Sequence, residues 1–167
     1  MFRPDQSFSS EEVAELARVT PRQLQWWDER GVVSPDHQGH RRRYRLEELI
    51  EVSVISELRT KGFSLQKIRK VLRFLHRELG RRLADVLKPS SEYHLLTDGR
   101  NIFLEDNQRK IVDTLKNSRQ PIISVCISDQ VKRLSSEFSQ AMRKRPEQET
   151  MFRAKVQPAR PRFKSLA

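Results

Sequence analysis

Arg22, Gln25, Trp26 and Glu29 recur at three- and four-residue intervals behind a Thr20-Pro21 pair. A helix opened by that pair puts these four on one side and Leu24 and Trp27 on another. Arginine and glutamine can form paired hydrogen bonds with base edges in a major groove, arginine with guanine and glutamine with adenine. Further along, Arg41-Arg42-Arg43-Tyr44-Arg45 concentrates four guanidinium groups around one tyrosine. Such a run can follow a phosphate backbone, with one or two side chains turned inward. Both tryptophans also suit a core, Trp27 more naturally than Trp26.

The elements around these residues are punctuated clearly. Ser9 and Glu12 have capping-box spacing, and Val13, Leu16 and Ala17 then form a two-turn apolar stripe. Thr20 is a second cap, with Pro21 at the first helical position and Gln23 in the capping-box slot. That helix should run to about Arg30 and stop at Gly31. Two short helices so joined make a helix-turn-helix. Residues 32–45 read as a hairpin turning near Gly39. A helix over 46–61 buries Leu46, Leu49, Ile50, Val54 and Leu58, and Gly62 breaks it. Ser64 caps the next, which keeps Leu65, Ile68, Leu72, Leu75, Leu79, Leu83 and Val86 in step until Pro89. The free amides at the Thr20 and Ser64 helix starts are further phosphate sites. Leu72, Leu75, Leu79 and Val86 fit either a short coiled-coil seam between two copies or a cover for the chain's own core.

Beyond Pro89 the period changes. Tyr93–Thr97 and Asn101–Glu105 flank Asp98-Gly99-Arg100, a hairpin signal. A small helix at about 107–117 carries Ile111, Val112 and Leu115. Residues 121–127 read as a buried strand, and Val131, Leu134, Phe138 and Met142 mark a last amphipathic helix. The hairpin and strand 121–127 have edges that could pair two copies.

Charge separates these regions. The 167 residues carry 33 basic and 22 acidic side chains, a net +11. Residues 1–88 hold 18 and 13 of these, residues 89–140 seven of each, and residues 141–167 eight and two. A neutral middle thus lies between basic ends, which suit a polyanionic partner, nucleic acid before membrane. Mean hydropathy is −0.73, and no apolar run is long enough for a membrane span. The N-terminus has no signal-like apolar stretch, and one cysteine excludes an internal disulfide framework and multi-cysteine metal sites. A cytoplasmic, nucleoid-associated chain is expected.

Val13 to Val33, with Arg41-Arg42-Arg43-Tyr44 and Lys61-Gly62-Phe63-Ser64-Leu65 behind it, resembles the MerR family of transcription regulators over residues 8–78. The resemblance implies a second helix in the major groove, an arginine-tyrosine wing along the backbone, and a second, smaller wing between the third and fourth helices. Carried over by position, it implicates Thr20, Arg22, Gln25, Trp26, Arg42, Tyr44 and Lys61. Arg41 and Arg43 join them from the wing. Arg18 stands where the family usually has glycine and Gln25 where it usually has arginine. Tryptophans replace the common tyrosines, and the wing is one residue longer between Gly39 and Tyr44. The resemblance also implies dimeric binding to an inverted repeat in a promoter, with regulation through distortion of the spacer that RNA polymerase reads.

Other chemistry finds little support. His37 and His40 have no cysteine or carboxylate to complete a metal set. Cys126 reads as a small hydrophobe in a buried strand. No phosphate-cradling glycine loop, nucleophile triad or paired carboxylate stands out. The expected fold is mainly α. It comprises a winged helix-turn-helix domain at 8–78, a helix end and linker at 79–90, a small α+β domain at 91–142 for dimerisation or effector binding, and a disordered basic tail at 143–167. The expected partners are double-stranded DNA, a second copy of the chain and RNA polymerase, with no enzyme activity, cofactor or membrane; the sequence names no effector. An excisionase-like architectural protein, or a partner-docking protein localised by its DNA-binding domain, is the alternative.

Overall fold

The computed structural model describes residues 2–155. Its elements in chain order are β1 (Ser7–Ser9), α1 (Ser10–Ala17), α2 (Pro21–Glu29), β2 (Asp36–Gln38), β3 (Arg41–Arg45), α3 (Leu46–Thr60) and α4 (Leu65–Val86). There follow β4 (His94–Thr97), β5 (Ile102–Glu105), α5 (Gln108–Asn117), β6 (Ile123–Cys126) and α6 (Ile127–Lys155). Two antiparallel sheets result, ordered β1-β3-β2 and β5-β4-β6.

The helix starts follow from side chains that satisfy free amides. Ser9 and Glu12 close the capping box at α1, with Ser9 N donating to Glu12 Oε2 at 2.8 Å. Glu48 accepts from Arg45 N at 2.7 Å at the start of α3. Ser64 caps α4 and Asn107 caps α5.

One apolar cluster runs through the molecule, from Phe8 and Leu16 through Leu49, Ile55 and Leu75 to Leu95, Ile127 and Leu134. α4 is the spine of this core. Leu72, Leu75, Leu79, Leu83 and Val86 are all buried within the chain. Of the two uses open to that stripe, the molecule adopts the internal one: α3 packs on one side of α4 and β5 also lies against it. The last two turns of α4 cross the segment expected to be part linker.

Two expectations need correction, and two further features carry no local sequence signal. No local sequence signal marks β1, which adds a third strand to the wing and places Phe8 opposite Tyr44, both fully buried. Phe8 also meets Phe2 and Phe138 edge-on, with ring centroids 5.5 Å apart in each case. The helix expected at about 107–117 is α5; it rests on the edge strand β5 and leaves Val112 and Leu115 exposed. Of residues 121–127 only Ile123–Cys126 form a strand, and it is a sheet edge rather than a fully buried strand, with Val125 buried, Ser124 exposed and Cys126 half-buried. Finally, α6 starts directly after β6 and extends to Lys155, so residues 143–155 of the expected disordered tail are helical. Residues 156–167 of that tail lie outside the described residues.

Candidate nucleic-acid interface

α2 is built to present one face. Thr20 accepts from Gln23 N at 3.2 Å and its own amide donates to Gln23 Oε1 at 2.8 Å, so the helix begins where the sequence signals. At the other end Gly31 takes a φ of +60°, and Val32 N donates to Trp27 O at 2.8 Å. Arg69 of α4 reaches Arg30 O at 2.9 Å and supports that end. Leu24 and Trp27 lock the helix into the core. Thr20, Arg22, Gln25, Trp26 and Glu29 are exposed together on the outside.

Trp26, for which both core and groove were open, is 39% exposed, with the Arg30 guanidinium 5.6 Å from its ring centroid. Gln25 Nε2 donates to Glu29 Oε1 at 2.8 Å, so the glutamine is ordered along the helix face. An incoming base edge would exchange with that intrahelical bond.

The wing divides by strand alternation. Arg41, Arg43 and Arg45 point to one side of β3, and Arg42 and Tyr44 to the other. Arg42 turns toward α2, where its Nε lies 2.5 Å from Asp28 Oδ2. His37 Nε2 of β2 lies 3.1 Å from the same oxygen. Hydrogen bonding to Asp28 holds the Arg42 guanidinium above its ordinary pKa, so it stays charged. Arg43 Nη2 donates to Ser7 Oγ at 3.0 Å, and Arg45 is held by the buried Glu48.

The model of the MerR HTH family regulatory protein matches residues 8–75 of this chain. Residues 8–75 are a MerR-family helix-turn-helix domain. Two solved structures are similar to the chain at low identity. A crystal structure of HiNmlR, a MerR family regulator lacking the sensor domain and bound to promoter DNA, is 15% identical over 83% of this chain and 78% of that one, with a TM-score of 0.38. A MerR family transcriptional regulator from Bacillus cereus is 16% identical over 81% of this chain and 99% of that one, with a TM-score of 0.37. No match was found among curated proteins.

Within the MerR-family domain, the expected contact residues fall into two groups. Thr20, Arg22, Gln25, Trp26 and Arg41 are exposed, Arg43 is half-exposed, and Lys61 is exposed with its ammonium 3.0 Å from Glu57 Oε1. Arg42 and Tyr44 belong to the second group. Arg42 is engaged by Asp28. Tyr44 has no exposed surface, and burial raises its phenol pKa above the ordinary value. In this geometry Tyr44 sets the seat of the wing rather than forming part of its outer face.

Sequence reasoning missed Asp28, whose carboxylate binds the wing to α2. It had no local signal, because its partners lie on strands whose register only the fold supplies. His37, weighed only as a metal ligand, is instead the second partner of Asp28. Among the described residues, no group of three or more His, Cys, Asp or Glu could hold a metal ion. Burial raises the Cys126 thiol pKa, which keeps the thiol in its less reactive protonated form.

Proposed function

We propose that this chain is a sequence-specific, non-enzymatic transcription regulator that binds promoter DNA as a homodimer. The observation that carries the reading is the outer face of α2, where Arg22, Gln25 and Trp26 stand exposed at helical spacing while Leu24 and Trp27 fix the helix from behind. Arg22 and Gln25 suit base edges, and Arg41 and Arg43 suit flanking phosphates. The MerR-family match over residues 8–75 supports the same use of these elements. Two copies on an inverted repeat would let RNA polymerase respond to a distorted spacer. The stripe of α4 is already covered within the chain, so pairing of copies falls to another surface.

Selection of binding sites from random DNA at about 150 mM salt, near physiological screening, tests the proposal. An enriched inverted repeat is the expected result. An enriched single half-site would remove the dimer but keep the specificity. Binding without enrichment would replace this reading with an architectural one.

A further inference from the structure

We infer that the β4–β5 turn is a third DNA-contacting element, in which Arg100 works with Lys67 of α4 beside the α3–α4 turn; this rests on the DNA-binding reading above. Gly99 at the tip of that turn is buried against the Lys67 side chain. A Cβ placed on Gly99 would lie 3.2 Å from Lys67 Cδ, and the backbone there has a φ of +89°. The backbone conformation therefore calls for glycine, and a Cβ there would make the Lys67 side chain shift by a few tenths of an ångström. The Lys67 ammonium also lies 5.8 Å from the ring centroid of Phe63, a residue of the α3–α4 turn. The two turns thus form one continuous surface, bridged by Lys67.

The tip is also rigid. Thr97 Oγ1 donates to Asn101 O at 2.8 Å and accepts from Gly99 N at 2.9 Å. Asp98 Oδ1 accepts from Arg100 N and Asn101 N, each at 2.7 Å, and Asp98 Oδ2 accepts from Asn101 Nδ2 at 3.0 Å. These bonds hold the Asp98 carboxyl below the usual carboxylate pKa and direct its charge into the turn. The Arg100 side chain is exposed and has no ion-pair or hydrogen-bond partner among the described residues. Lys61 of the α3–α4 turn is paired with Glu57 and Arg59 donates to Phe63 O at 3.1 Å, whereas Lys67 and Arg100 have no ion-pair partner among the described residues. Two cations on a rigid support suit a phosphate backbone, which needs charge and position but no base-specific geometry.

The salt dependence of DNA binding tests this, using the full chain and one selected site. Each phosphate contact contributes about −0.9 to the slope of log affinity against log salt. Arg100→Ala and Lys67→Ala should each reduce that slope by about 0.9 per bound chain and weaken selected and random DNA alike. Arg100→Lys should retain the slope. Arg81→Ala, on an exposed part of α4 roughly 20 Å along the helix from Lys67, should leave it unchanged. A wild-type slope in Arg100→Ala would overturn the inference and leave the DNA-binding reading standing. A wild-type chain that binds no DNA would overturn both.

Discussion

Glu51 of α3 is 4% exposed, and its Oε1 lies 2.8 Å from His76 Nδ1 of α4. Burial pushes its pKa up to about 7; the His76 contact opposes that rise, while Glu48 and Glu47 add to it. The folded chain therefore holds this proton more tightly than the unfolded chain does, so the associated stabilisation is complete below about pH 4.5 and is lost as pH rises through 7. Denaturant titrations of wild type and Glu51→Gln between pH 5 and 8 should show wild type losing stability relative to the variant as pH increases. Arg18 is a second residue whose type looks anomalous until its contacts are known. It occupies the left-handed region, with a φ of +56°, at the turn where the MerR pattern usually has glycine. Its guanidinium reaches Glu137 Oε1 of α6 at 2.7 Å, and Arg133 binds the same carboxylate and Leu16 O. A long-range ion pair thus accompanies the strained backbone at this position.

Between elements, the contact that matters most to the site is the one joining α2 to the wing. Asp28 is only 12% exposed at its side chain, and both Arg42 and His37 converge on it. Asp28→Ala would leave the half-buried Arg42 without its acceptor, at a cost of about 1–3 kcal/mol. Thermal unfolding should show that loss, and DNA affinity should fall with it because the wing loses its seat on α2. The sequence made the elements legible where local chemistry decides them: the Ser9 and Thr20 capping boxes, Gly31, Gly39 and Gly62 at turns, and the leucine period of α4. It was silent where distant residues decide. β1 exists because Ser7–Ser9 finds a partner in β3, and α5 stays uncovered because its neighbour is a sheet edge. Neither circumstance leaves a local pattern.

Across the whole molecule, the proposed binding face and the core are made from the same elements. α2 shows Arg22 and Gln25 outward while Trp27 enters a core that continues through α3 and α4 to the second sheet and α6. The exposed residues of α2 were legible because helical period alone separates them from Leu24 and Trp27. The inward turn of Arg42 and Tyr44 was legible only as one or two unnamed positions, since strand register assigns it. The neutral charge of residues 89–140 fits a segment that mainly packs and braces, with Arg100 at its tip as the proposed exception. α2 is proposed to read base edges. The most direct measurement compares wild type, Arg22→Ala and Gln25→Ala on a selected site and on each of its single-base variants. Each substitution should flatten the preference at its own base pairs by about 1–3 kcal/mol and leave the other positions unchanged. Base preferences identical to wild type in both variants would rule out base reading by α2.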